Sequence, residues 1–229
     1  FVYKIIDIWN FVLHKSITNL VSIQSELKSR SDLDYETNII AVSKTFSIDV
    51  IKPLIEHGHL HYGENKVQEA VRKWTEIKKN KEDLKLHMIG KLQSNKVKYV
   101  IPLFDYIHSL DNLKLAEKIS SEQKKINRRL KIFIQVNIGD EDQKNGIHKN
   151  QVTQFFEKCV NDLNLNIIGL MCIPPANKDI SAYFSSMNEL NNSLGLNQLS
   201  MGMSSDYLKA REHGATFVRI GSKIFGTRI

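Results

Sequence analysis

The chain has 229 residues, 41% of them hydrophobic and 25% charged, with a formal net charge of +7. That length suits one well-buried domain or two small ones, and the apolar fraction excludes an intrinsically disordered chain. Two cysteines, Cys159 and Cys172, exclude a secreted disulfide framework and form no metal-ligand spacing, so a reducing cytoplasm is expected and no metal is.

The opening stretch, "FVYKIIDIWNFVLHKS", is apolar but interrupted by Lys4, Asp7 and His14. It is too short and too charged to span a bilayer, which needs about 20 mostly apolar residues. A helical segment is expected over residues 1–30, ending near Lys28. Whether an organelle-targeting segment precedes Phe1 stays open.

The next apolar run, "NIIAVSKTF", ends on a lysine, Lys44. Seven similar runs follow: "HLHYG", "LKLHMIG", "FDYIHSL", "KIFIQVNIG", "NIIGLMCI", "QLSMGM" and "TFVRIG". Stretches of helical period lie between them. "NKVQEAVRKWTEIKK" puts Val67, Val71, Trp74 and Ile77 on one face, and "NLKLAEKISSEQKKI" does so for Leu115, Ile119 and Ile126. The lysines of these helices alternate with Glu and Asp and read as solvated faces. Nucleic-acid binding is the sharper alternative for the positive charge, and no zinc-finger spacing or aromatic-basic RNA motif accompanies it.

Eight strand signals alternating with helices imply parallel strands joined by crossovers. Both a closed barrel and an open doubly wound sheet fit. The count of eight and the lack of G-x-G-x-x-G after the first strand favour an α/β fold with a single (β/α)8 TIM barrel over residues 31–229. Active sites of such barrels lie where the strands end. The strand-end residues are Lys44, Gly63-Glu64-Asn65, His87, Ser109, Asn137, Ser204 and the run from Arg219 to Ser222.

A lysine at a barrel mouth stands over an apolar floor, which lowers its pKa and makes it a nucleophile toward aldehydes. The plainer reading is a snorkelling or ion-paired lysine, with Glu64 of the next strand end as a candidate partner. "LSMGMSSDYLKA" and "VRIGSKIFG" end the seventh and eighth strands with Ser204, Gly221 and Ser222, where barrels often bind phosphate. Helix capping by Ser204 or Ser205, with Asp206 in the first turn, is compatible with that. Arg219, inside the last strand, needs an acceptor: a carboxylate such as Asp111 or Glu64, or the ring nitrogen of a heterocycle. Lysine, phosphate cradle and arginine together suit pyridoxal 5′-phosphate.

Nine pieces, "AVSKT", "YGEN", "HMIGKLQSNK", "HSLD", "QVNIG", "KNG", "GLMCIPP", "LSMGMSSD" and "VRIGSKIFG", stand in the order seen in the pyridoxal phosphate homeostasis protein family (YggS/PROSC). The sequence resembles that family from about Asn38 to Arg228. The resemblance implies the fold-type III barrel of the alanine racemase N-terminal domain. It implies an internal aldimine on Lys44, with Asn65 beside the cofactor. Ser204, Gly221 and Ser222 would form the phosphate cradle, and Arg219 would face the pyridine nitrogen. His87 reads as a hydrogen-bonded core histidine. "LQSNK", with Gln93, Asn95 and Lys96, reads as a helix cap or a partner surface, and Lys144 as a loop lysine.

An arginine at the pyridine nitrogen disfavours its protonation and weakens the ring as an electron sink. Racemisation also needs a base on each face of the α-carbon. Tyr62 and Tyr207 are the candidates for a second one. The favoured reading is a non-catalytic carrier that holds and delivers the cofactor, with PLP-requiring apoenzymes and free amino acids as partners. The alternative is a PLP-dependent amino-acid racemase. A monomer is expected, with neither nucleic acid nor membrane as partner.

Overall fold

The computed structural model describes residues 13–29, 36–141, 143–175 and 179–227. Its strands are β1 (Asn38–Val42), β2 (His61–Glu64), β3 (Lys85–Met88), β4 (Tyr106–Leu110), β5 (Lys131–Asn137), β6 (Ile147–His148), β7 (Ile167–Cys172), β8 (Gln198–Met203) and β9 (Phe217–Ile220). Neighbours follow the order β4-β3-β2-β1-β9-β8-β7-β5, all parallel, and a β4–β5 pairing closes the ring. The two-residue β6 pairs only with the end of β5, so the barrel has eight staves and β8 and β9 are its seventh and eighth. Each stave lies on one of the eight apolar runs. The expected (β/α)8 barrel is the fold observed.

Alternation along the strands sorts the core into two layers. Outward residues such as Ile39, Ala41, Leu86, Val218 and Ile220 pack with the helices in the main core. Inward residues Ile40, Tyr106, Phe133, Met171 and Phe217 form a second, smaller cluster inside the barrel. Other inward positions carry the polar side chains of His61, His87, His108, Ser200 and Arg219.

The helices are α1 (Lys15–Lys28), α2 (Ile48–Glu56), α3 (Val67–Asn80), α4 (Val97–Val100), α5 (Leu113–Lys125), α6 (Val152–Glu157), α7 (Ile180–Ser193), α8 (Tyr207–Glu212) and α9 (Ser222–Phe225). In α1, Ile17, Leu20, Ile23 and Leu27 recur at helical spacing and are buried in the main core. Burial of each such side chain contributes about 1.5–3 kcal/mol. The helix ends at Lys28 as expected; the helical expectation for residues 1–12 and the boundary at residues 30 and 31 lie outside the described residues. Val67 and Trp74 of α3 are buried as the pattern predicts. Ile126 is a correction: α5 ends at Lys125, so Ile126 lies past its last turn and is 51% exposed. Cys159 and Cys172 are unpaired core residues, and burial pushes both thiols up to about 12. No described helix is long and apolar enough to cross a membrane.

Candidate functional site

β1 is apolar because it is covered on both faces, and its pattern breaks at Ser43, the first residue past the strand. Ser43 continues the ladder through its backbone, donating to the Gly63 carbonyl at 3.0 Å. Its hydroxyl points outward and donates to Glu64 Oε1 at 2.7 Å. By the two-residue period of the strand, Lys44 therefore extends the inward row of Ile40 and Val42. It is half-buried.

Helix α3 clamps the peptide on both sides of Lys44. Lys73 donates to the Ser43 carbonyl at 3.0 Å, to Glu64 at 3.0 Å and to Glu69 at 3.1 Å. Glu69 in turn accepts from the Thr45 backbone N–H at 2.6 Å. Thr45 has φ of 69°, a left-handed conformation that a β-branched residue adopts only when surroundings impose it. Burial raises the Glu69 pKa, but the Thr45 amide and Lys73 outweigh this and hold it below the usual carboxylate value. Trp74 adds an indole N–H to Glu64 Oε1 at 2.9 Å. The cation shown paired with buried Glu64 is Lys73. The sequence signal that could have located this clamp is the i,i+4 pair Glu69–Lys73 on a face next to Trp74.

The strand ends flanking Lys44 come from β2 on one side and from β9 and then β8 on the other. Val42 pairs with Gly63, so Asn65 stands beyond β2 as Lys44 stands beyond β1. Gly90 lies so close to Asn65 that a Cβ there would meet the Asn65 carbonyl at 2.4 Å. Buried Oδ1 of Asn65 has no hydrogen-bond partner among the described residues. On the β9 side, a Cβ on Gly221 would meet the Val42 carbonyl at 3.3 Å, which sets that turn against the end of β1. Met203 pairs with Arg219, so Ser204 follows β8 beside the Gly221–Ser222 turn. Asn65, Lys44, Gly221, Ser222 and Ser204 thus occupy four adjacent strand ends.

The capping expectation at Ser204 and Ser205 is corrected. The residue preceding α8 is Asp206, no side chain caps that helix, and Asp206 instead accepts from the Met203 amide at 2.5 Å. Gly221 precedes α9, also without a side-chain cap.

Arg219 is 6% exposed and points into the barrel. Its acceptors are neither of the carboxylates suggested by sequence. Nη1 donates to the Ser200 carbonyl at 2.8 Å and to Ser200 Oγ at 2.7 Å, and Nη2 donates to the Cys172 carbonyl at 2.9 Å. The β8–β9 register shifts between Ser200 and Met203, and Cys172 ends β7, so both carbonyls lie where the ladder is interrupted. Three of the five guanidinium N–H groups are satisfied this way, which leaves Nε–H and one Nη2–H.

Other singled-out residues lie elsewhere. His87 sits within β3 rather than after it, fully buried and bonded to His61 and His108, as a core histidine should be. "LQSNK" forms one 3-10 turn, Ser94–Lys96, with no side-chain cap, so the helix-cap reading is corrected. Lys144 pairs with Glu141 and donates to the Pro174 carbonyl at 3.4 Å, linking the loops after β5 and β7. Tyr62 faces the helix layer, its ring 4.9 Å from Trp74. Tyr207 donates its hydroxyl to Glu26 of α1, and Lys223 donates to it at 2.5 Å. Neither tyrosine is placed as a second base.

Comparison with known proteins agrees with this architecture. Residues 19–229 match the family model described as alanine racemase, N-terminal domain. A pyridoxal phosphate homeostasis protein of Aquifex aeolicus is 40% identical over 199 residues, covering 83% of this chain and 86% of that one. Its counterpart in Pasteurella multocida is 35% identical, over 90% and 93% of the two chains. The structure of PipY from Synechococcus elongatus with PLP bound superposes with a TM-score of 0.78 at 33% identity, covering 89% of this chain and all of that one. The chain belongs to the alanine racemase N-terminal-domain family and, within it, to the pyridoxal phosphate homeostasis proteins.

Proposed function

We propose that this protein binds pyridoxal 5′-phosphate at the mouth formed by β2, β1, β9 and β8, and serves to hold and release it rather than to turn over amino acids. One observation carries this reading: a buried arginine with two N–H groups left over, one strand from a lysine whose flanking peptides are clamped. A flat acceptor-bearing ring with an aldehyde and a phosphate fits such a mouth. The orphaned Asn65 Oδ1 and the tight glycine turn at Gly221 fit it too.

When bound, the cofactor supplies an electrophilic aldehyde for amines. The roles of the protein's own groups follow from their chemistry. Lys44 supplies the amine for covalent attachment. Ser204, Ser222 and the backbone N–H groups of Gly221 and Ser222 bind the phosphate. Asn65 orients the ring, and Arg219, a permanent cation, donates to the ring nitrogen and keeps a proton off it. Protons at the substrate α-carbon would need a base opposite Lys44. The two tyrosines that could serve, Tyr62 and Tyr207, are engaged in the helix layer and with Glu26. That supports a carrier over a racemase.

The partners are then PLP-requiring apoenzymes and free amino acids that accept the cofactor, in the cytoplasm, with the protein acting as a monomer. Addition of PLP should give a visible absorption band that Lys44→Ala lacks. Incubation with L-alanine or D-serine should give neither racemised product nor ammonia. Sustained racemisation that disappears in Lys44→Ala would sink the carrier reading, and light scattering checks the monomer.

A further inference from the structure

Four side chains meet end to end inside the barrel, below Arg219. Ser200 Oγ, which accepts from Arg219, lies 2.8 Å from His108 Nδ1. His108 Nε2 lies 2.9 Å from His87 Nδ1, and His87 Nε2 lies 2.9 Å from His61 Nδ1. Ser200, His108 and His87 are fully buried; His61, the first residue of β2, is partly exposed at the opposite end. The rings are held by stacking, His87 on Tyr106 at 4.1 Å and His108 on Phe133 at 4.3 Å. Barrel interiors are normally filled by Val, Ile and Leu. Three imidazoles in that place carry a desolvation cost unless each is hydrogen-bonded.

The chain has one consistent polarity. Arginine only donates, so Ser200 Oγ accepts from it. The Ser200 hydroxyl proton then needs an acceptor, and among the described residues His108 Nδ1 is the one bonded to it. His108 consequently carries its proton on Nε2 and donates to His87 Nδ1. His87 repeats the pattern toward His61, whose own Nε2–H points away from the mouth. In the reverse polarity His108 would donate to a Ser200 oxygen already accepting from Arg219, and the serine proton would have no partner.

We infer that Ser200, His108, His87 and His61 are positioning residues for Arg219, a hydrogen-bonded chain that fixes one tautomer per ring and holds the guanidinium with its two remaining N–H groups available at the mouth. What those groups meet rests on the proposed cofactor reading; the chain itself does not. The electrostatics support neutral rings. Burial, and then the neighbouring histidines or Arg219, hold His87 and His108 well below the usual histidine value. Burial, with Lys85 of β3 and Lys131 of β5, brings His61 to about 4 against the opposing pull of Asp105. A protonated His108 would set a second cation one hydroxyl away from Arg219.

The test uses the full ligand-free chain with 15N-labelled histidine and arginine. Long-range proton–nitrogen spectra near neutral pH should show His61, His87 and His108 all neutral with the proton on Nε2. The Arg219 guanidinium should give separate Nη–H resonances. Ser200→Ala should mix the His108 tautomers, merge the Arg219 resonances and weaken PLP binding about tenfold, near the loss of one hydrogen bond to a charged group. Ser200→Thr, which keeps the hydroxyl, should restore all three. A ring with its proton on Nδ1, or a charged ring, in the wild type would overturn the inference without any variant. So would Ser200→Ala spectra unchanged from wild type. Intact tautomers and Arg219 resonances in a protein that binds no PLP would leave the chain standing and reject the cofactor reading instead.

Discussion

The shaft of the barrel and its mouth are both lined with polar groups, yet the two regions treat them in opposite ways. Along the shaft, Ser200, His108, His87 and His61 each meet the next at 2.8–2.9 Å. At the mouth, Asn65 Oδ1 is buried without a partner among the described residues, and Arg219 has two N–H groups beyond its three bonds. An unsatisfied buried polar group costs about 1–3 kcal/mol. The contrast supports the proposed reading in which the unpaired groups at the mouth meet a ligand. The shaft, by the same reasoning, is scaffold.

The sharpest way to stress the mouth is to remove the ligand's phosphate. In the proposed cradle each charge-assisted bond from Ser204, Gly221 or Ser222 would contribute roughly 1.5–3 kcal/mol, so pyridoxal should bind at least about a hundredfold more weakly than PLP in a competition titration. Equal affinity would mean that these turns are scaffold too.

The clamp beneath the mouth should show the next largest effect. Glu64→Ala leaves Lys73, whose side chain is 9% exposed, without its buried partner. Breaking such a pair costs about 3–5 kcal/mol, measurable as a lower denaturant midpoint. A change below 1 kcal/mol would show that Glu69 alone holds Lys73.

Acid probes the shaft. His61, His87 and His108 have folded pKa values below the ordinary 6.5, so the unfolded chain binds protons first as pH falls. Their contribution is fully present above pH 6.5 and is lost on acidification toward their folded values, with a limiting slope of about 1.4 kcal/mol per pH unit per histidine. Stability that is flat between pH 6.5 and 5 would contradict neutral burial of the row. The smallest effect is expected from Tyr62→Phe, which removes a buried hydroxyl without a partner. PLP binding should be unchanged and stability equal or slightly higher, as a titration and a melt would show.

Much of this architecture is legible in the sequence because apolar runs and helical periods report burial directly. "NIIAVSK" and "TFVRIG" locate two neighbouring staves and the residues at their ends. The partners of those residues are less legible. The sequence suggests Asp111 or Glu64 as protein acceptors for Arg219, but those acceptors are the Ser200 hydroxyl and two carbonyls at interruptions of the ladder, and a sequence does not show where a ladder is interrupted. Lys73 is one of several lysines on a mixed-charge helix, and only its bonds to the Ser43 carbonyl and Glu64 turn it inward. Ile126 had the right spacing but fell one residue past the end of its helix.

The most direct test of the central claim is to load the protein with PLP, reduce it with borohydride and map the modified residue by mass spectrometry. The account predicts a pyridoxyl group on Lys44 at near-stoichiometric yield and none in Lys44→Ala. Stoichiometric labelling of another lysine, with Lys44 unmodified, would contradict it.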